Sequence, residues 1–498
     1  MASKTLKYII LGILLVGVGY YGTQWYIEFR LKQHLSEGLL GGELVFSKLD
    51  INLWQRAGRL EKVSWHRTKG ESIFEVDQIE VKGVQLLQLV FKDQLAISEI
   101  EIEQPKIIWV SNKSIPEKKT EKEMKINAIT VEKVHLRKGN FKWMEQDRLK
   151  AEVEQINLSV HNVVLNHKTV KKAIPVEYDS YRFELLDLFL NVNNLQDLKL
   201  KELVLDDSLL EANDLIYTPK YSKREYVNHI PYEKDLINLK IDRVACEELK
   251  YSIDQIFSLY IPSVDIHEGD LQIYRDKTIK DDVRQKKLYS QMLRELPFSL
   301  KIDTVAIHDT FLKYQEKLGE NEVGEVSFEN VNAAIGHLIG GQARYNSKKE
   351  TTLDLKADFT GISKLDFEYS FRVADSTDAF QFKGSAWEVE DHQVNKFFIP
   401  ALGVQANGSI DALYYNFSGD QNKASGEMIM VYDELKFEVL KENGQKKKIM
   451  SWLANIVVDS KNKTRKPVEV TGVKRDKTKS FWNYYWRCLQ KGLKKELL

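Results

Sequence analysis

The sequence predicts a mainly β protein with an N-terminal transmembrane helix, a long repetitive β body and a C-terminal amphipathic helix. Three features of the 498 residues predict it: an uncharged apolar run near the start, period-two alternation through most of the length, and an aromatic, basic stretch with helical spacing at the end.

The apolar run is Tyr8 to Ile27, about 20 residues without a charge. At 1.5 Å per residue it makes roughly 30 Å of helix, enough to cross a hydrocarbon core. Tyr20, Tyr21, Trp25 and Tyr26 gather at one end, where aromatic rings suit the headgroup layer. The run is long for the core of a signal peptide, and no Ala-x-Ala site closes it. Lys4 and Lys7 before it favour a cytoplasmic N-terminus, opposed by Arg30 and Lys32 beyond it. Residues 28–44 continue as a short helix with Phe29, Leu31 and Leu35 on one side, until Gly38, Gly41 and Gly42 break it.

Composition narrows the function classes. Lys plus Arg equals Asp plus Glu at 73 each, so no global field attracts a polyanion and nucleic acid is excluded as the expected partner. The length and the 43% of hydrophobic residues suffice for one large core or for two or three domains. Cys246 and Cys488 lie far apart and form no ligand cluster.

One spacing recurs through the body: apolar residues at positions zero, two, seven and nine. The copies are Ile100, Ile102, Ile107, Trp109; Val134, Leu136, Phe141, Trp143; and Leu203, Leu205, Leu210, Ala212. Three more are Val244, Cys246, Tyr251, Ile253; Val264, Ile266, Leu271, Ile273; and Val305, Ile307, Leu312, Tyr314. Residues two apart share a face of a strand, so each copy reads as two short strands joined by a turn. The intervening HEGD (267–270) and RKGN (137–140) carry the glycine that a tight turn favours. The starts lie about 34, 69, 41, 20 and 41 residues apart, which excludes a fixed-period solenoid.

From about 345 the alternation is simpler. It runs through Leu353 to Phe359, Leu365 to Val373, Val404 to Gly419 and Met428 to Val439, with a helix near Asp391–Pro400. No βαβ rhythm appears, so a doubly wound fold is excluded. Residues 116–125 and 217–233 read as polar connections. At the end, Phe481, Trp482, Tyr485, Trp486, Leu489 and Leu493 recur at three and four, with Arg487, Lys491, Lys494 and Lys495 between them. Such a helix lies in a membrane interface or docks on the sheet.

Chemistry-bearing motifs are scarce. There is no HExxH, GxSxG, GxxxxGK[ST] or strand-linked GxGxxG. His161 and His167 read as strand or turn residues, and His308 beside Asp309 faces the other way along a strand. Gly336, Gly340 and Gly341 read as turn glycines, Asp281 and Asp282 as solvated surface, and Lys446–Lys448 as a solvated charge run. No catalytic residue, metal or cofactor is expected.

Three stretches carry a resemblance. They are GGELVFSKLDINLWQRAGRLEKVSW at 41–65, the repeated unit as in LKIDRVACEELKYSID (239–254) and SLKIDTVAIHDTFLKYQE (299–316), and 402–440 with its Gly426, Tyr432, Leu435 and Leu440. In these the chain resembles bacterial AsmA-like proteins of the Bacteroidetes type, related in architecture to chorein-like bridge lipid-transfer proteins. The resemblance implies a long, curved, repetitive β-sheet with an apolar groove, held at the inner membrane with its bulk in the periplasm. It also implies a role in phospholipid movement or outer-membrane homeostasis.

The expected organisation is a tip and anchor at 1–27, a groove domain at 28–345, an AsmA-like β region at 346–445, and a basic linker with aromatic tail at 446–498. The expected function is non-enzymatic binding or transfer of membrane phospholipid. Ile102, Trp109, Leu136, Trp143, Ile266, Ile273, Ile307 and Tyr314 would line the groove. Trp25, Tyr26, Trp482, Trp486, Lys491 and Lys494 would meet the membrane interface. The alternatives are a periplasmic scaffold or assembly factor for outer-membrane proteins, working with an envelope protein partner, and an envelope glycan hydrolase with a convergent carboxylate pair.

Overall fold

The computed structural model describes residues 42–67, 73–85, 88, 94–111, 127–172, 174–253, 256–319, 322–440, 461–462 and 466–497. They form a mainly β fold of 23 strands. Two compact units divide the chain: Met1–Asn191 with Leu200–Asp207, and Val192–Lys199 with Ser208–Leu498.

The expected membrane anchor, with Trp25 and Tyr26, lies outside the described residues, as do the polar connection at 116–125 and Lys446–Lys448. Among the described residues no helix is long and apolar enough to cross a membrane. The longest, Phe481–Leu497, has 17 residues, is interrupted by Arg487, Lys491, Lys494 and Lys495, and spends its apolar face on the sheet. The expectation is corrected to this extent: no described helix supplies a transmembrane span, and the single-pass inner-membrane placement drawn from one is not carried further. What stands is a mainly β, multistranded fold.

In the first unit, β1 (Gly42–Val45) and β2 (Lys48–Asn52) pair with β3 (Ala57–Arg67), and β3 pairs with β4 (Ile73–Lys82). Next come β5 (Gln94–Glu103) and β6 (Lys106–Ser111), which run end to end between β4 and β7 (Ala128–Glu145). Then follow β8 (Arg148–Asn166), β9 (Ser180–Asn191) and β10 (Gln196–Asp206). The pairings of β5 and β6 with β7 are parallel.

The second unit begins with β11 (Leu209–Pro219), β12 (Leu236–Glu247), β13 (Lys250–Ile253), β14 (Phe257–Asp276) and β15 (Ser299–Lys317). Helix α1 (Tyr289–Arg294) lies between β14 and β15 in the chain. There follow β16 (Val323–Gly340), β17 (Thr351–Phe359), β18 (Ser363–Phe371) and β19 (Phe380–Glu390). Helix α2 (Asp391–Leu402), β20 (Val404–Gly419), β21 (Lys423–Val439), β22 (Lys461–Asn462), β23 (Val468–Lys474) and helix α3 (Phe481–Leu497) complete it. Neighbours pair antiparallel except β14 with β15, which is parallel. The α2 stretch starts with a capping box between Glu390 and Gln393 and ends at Gly403, φ 65°, the left-handed stop that glycine takes without strain.

The repeated spacing is real; three copies are divided into two strands, β5 and β6, β10 and β11, and β12 and β13, and the other three are not divided at all. In β7, β14 and β15 the strand runs straight through, with lengths of 18, 20 and 19 residues. A step of five residues would swap faces in a regular strand, so one residue must be extra. The extra residue sits at position four in five of the six copies: Gln104, Lys138, Glu248, Glu268 and Asp309 all have φ between 49° and 53°. The glycine that suggested a turn follows it and serves a close approach instead. A Cβ on Gly269 would lie 2.8 Å from Thr310 Oγ1, and one on Gly139 would lie 2.9 Å from Leu136 Cδ2.

The best-covered core lies under α3. Phe481, Tyr484, Cys488 and Leu489 pack on Phe367, Tyr369, Phe382, Tyr415, Phe417 and Met428. Cys488 and Gly492, one turn apart, let the helix approach closely: a Cβ on Gly492 would lie 2.6 Å from Met428 Cε. Tyr415 and Tyr485 join their hydroxyls at 2.8 Å, and burial pushes the Tyr485 phenol well above its ordinary range.

Candidate functional site

Strand register assembles the repeat into rows. Residues directly opposite one another on neighbouring strands share a face. In the first unit one such row is Leu60, Ile79, Ile102, Leu136, Leu158 and Phe183, crossing six strands. A second is Trp65, Phe74, Ile107, Phe141, Val153 and Leu188. Every member of the first row is only partly buried.

The second unit carries a longer version. Leu210, Cys246, Val264, Val305, Ile335, Leu353, Tyr369, Phe382 and Phe417 lie in register across nine strands. Beside it runs Ala212, Val244, Ile266, Ile307, Ala333, Leu355 and Phe367. At about 4.8 Å per strand, nine strands span roughly 38 Å.

Cover changes along this face. At the β18–β21 end α3 seals it, and Phe382 and Phe417 are 0% exposed. At the β11–β16 end the apolar cluster is built by the sheet and its connections alone. Cys246, Ile261, Val264 and Val305 are buried among Leu210, Val244, Leu249, Leu259, Ile266, Ile302, Ile307 and Ile335. Those neighbours remain partly exposed. Burial pushes the Cys246 thiol above its ordinary range.

The expected groove residues fall into register pairs: Ile102 with Leu136, Trp109 with Trp143, Ile266 with Ile307, and Ile273 with Tyr314. Trp109 is 46% exposed and the others are partly buried. Trp143 donates its indole N–H to Ser111 Oγ at 3.1 Å. Tyr314 is amphipathic here, donating its hydroxyl to Glu316 Oε2 at 2.7 Å, with burial holding its phenol protonated.

Of the expected interface residues, Trp482 is 49% exposed and packs on Phe367, while Trp486 meets Phe398. Lys491 Nζ donates to the Thr471 carbonyl at 2.6 Å. Lys494 is partly buried on the same helix.

The opposite face of β14 and β15 holds a group that sequence reasoning missed. Asp265, His267 and His308 place one donor atom each within 4.8 Å of one another. The signal was available: His267 and His308 both occupy position three of their copies, and Asp265 stands two residues before His267.

Two cavities of about 330 and 380 Å³ lie elsewhere in the second unit. Charged side chains line both, including Asp366, Glu368 and Lys383 in one and Arg344, Lys348 and Arg372 in the other. Neither is lined by residues of the repeat. No family model matches the chain, and no curated protein matches its sequence.

Proposed function

We propose that the protein binds the acyl chains of lipids along its partly uncovered apolar sheet faces, as a non-enzymatic lipid carrier. The observation that carries this reading is the change of cover along one row. Tyr369, Phe382 and Phe417 are sealed by α3, whereas Leu210 and Ile335 in the same row stay partly exposed. A face of Ile, Val and Leu offers dispersion and burial without hydrogen-bond readout, which suits a hydrocarbon tail. Each methylene buried there is worth about 0.8 kcal/mol. The five strands β11, β12, β14, β15 and β16 span about 19 Å, more than the roughly 15 Å of half a bilayer's hydrocarbon core. The likeness to AsmA-like and chorein-like proteins points the same way and is part of the proposal.

The test is native mass spectrometry of gently extracted protein. The expected result is a copurifying phospholipid, reduced severalfold in Ile266→Asp and Ile307→Asp variants whose circular dichroism is unchanged. Protein that is lipid-free under the same extraction, or variants that carry as much lipid as the parent, would overturn the reading.

A further inference from the structure

We infer that Asp265, His267 and His308 form a binding site for a borderline divalent cation, Zn²⁺ in the first instance, bridging the parallel strands β14 and β15. The inference is independent of lipid binding, because these side chains stand on the sheet face opposite Val264, Ile266, Val305 and Ile307.

The strands set the geometry. His267 and His308 are register partners, and their rings stack with centroids 4.6 Å apart and planes 16° from parallel. Each stands immediately before a left-handed residue, Glu268 at φ 53° and Asp309 at φ 49°. The two rings therefore leave matching backbone positions side by side. Asp265, two residues earlier on β14, projects from the same face as His267. Its Oδ1 is 3.5 Å from His308 Nε2. With metal–ligand bonds of about 2.0–2.1 Å, tetrahedral donors lie about 3.3 Å apart, so this edge is already close to its bound length. The widest separation among the three donor atoms is within 4.8 Å, so ligation needs that pair to draw together.

The surroundings favour the ion. Ser263 Oγ donates to Asp265 Oδ2 at 3.1 Å, which orients the carboxylate with Oδ1 toward the histidines. Arg243, opposite His267, is paired with Glu211 at 3.1 Å, and its pull on the Asp265 carboxylate is the smaller of the two. The corresponding positions of copies one and two make a useful contrast. There Arg137 takes the place of His308 and reaches Glu101 at 3.4 Å and Glu103 at 3.7 Å, so a fixed cation already neutralises the carboxylates. In copies five and six that cation is replaced by imidazole, a ligand for zinc, copper or nickel. Three protein ligands leave a coordination position for water. The arrangement adds a clamp near the middle of two strands that Tyr260–Asp303, at 2.8 Å, and Asp276–Lys317, at 3.4 Å, already tie near their ends.

The experiment uses the full chain, purified without a histidine tag and stripped of metal. Zn²⁺ alone is titrated in by calorimetry, and Co²⁺ is followed by its visible absorption. The expected result is one ion per chain, intense tetrahedral Co²⁺ bands and a higher Tm with Zn²⁺. His267→Ala, His308→Ala and Asp265→Asn should each weaken binding at least tenfold, while His229→Ala, at a distant stacked pair, leaves it unchanged. Equal Zn²⁺ affinity in the parent and a folded His267→Ala/His308→Ala variant would overturn the site, as would octahedral Co²⁺ spectra alone.

Discussion

At the residue scale, the decisive feature is one left-handed residue at the same position in five of the six copies, inside the strand in β7, β14 and β15. Non-glycine residues there carry a cost of about 1–2 kcal/mol relative to glycine. Asp309→Gly is therefore expected to leave stability unchanged or raise it by about 1 kcal/mol, whereas Asp309→Val lowers it, as read by urea unfolding. Gly269 tests the neighbouring crossing. Gly269→Val meets Thr310 Oγ1 and should cost about 1–3 kcal/mol. Combining it with Thr310→Ala should recover part of that loss, since the two side chains compete for one space.

Cys488 supplies a pH prediction on the same scale. Burial pushes its thiol from 9.0 up to about 12. The folded state then holds the proton more tightly than the unfolded chain. The stabilisation is complete below pH 9 and is lost as pH rises from there through about 12. Cys488→Ala should flatten that part of the stability profile relative to the parent, and the parent thiol should react with Ellman's reagent only on unfolding.

The sequence showed the apolar positions of the repeat but not how five intervening residues are used. A two-strand unit with a turn and a single strand with one extra residue place the same apolar residues, and a glycine suits both. Only the pairing partners distinguish them: β14 and β15 carry the irregularity at the same repeat position, so Ile266 still meets Ile307 and Leu271 still meets Leu312. The Asp265, His267 and His308 cluster was hidden for the same reason. Its members lie on two strands 41 residues apart in repeat position, and only parallel register brings them together.

At the element scale, α3 is the cover for one end of the second unit's apolar face. The sequence placed the helix, and hydrophobicity alone pointed to a face through Phe481, Trp482, Tyr485, Trp486, Leu489 and Leu493. The structure keeps Phe481, Tyr485, Trp486, Leu489 and Leu493 in the contact and adds Tyr484, Cys488 and Gly492, where small residues allow close approach, while Trp482 is half exposed. Lys495 and Lys491 donate to carbonyls of β23, and Glu496 accepts the Met430 N–H at 3.1 Å, fixing the helix at its far end. Gly492→Leu should lift the helix from Met428, raise ANS fluorescence and lower Tm. Trp482→Ala, at a half-exposed position, should change Tm far less.

At the scale of the whole molecule, the mainly β class and the strands beyond residue 345 were legible because alternation there is direct. The apolar rows cross residue 345 without interruption, Ile335 on β16 meeting Leu353 on β17. Membrane placement was read from an apolar run that lies outside the described residues, and no described helix provides it. Cover was not legible either: Ile335 and Phe382 are both apolar in sequence and share one row, yet only the second lies in the core beneath α3.

The most direct measurement is photocrosslinking with a phospholipid bearing a diazirine on its acyl chain, followed by peptide mapping. Labels are expected on β11, β12 and β14–β16 at residues such as Ile266, Ile307 and Ile335, and to be sparse beneath α3. Labelling spread over both faces of the sheet, or confined to its charged face, would contradict the account.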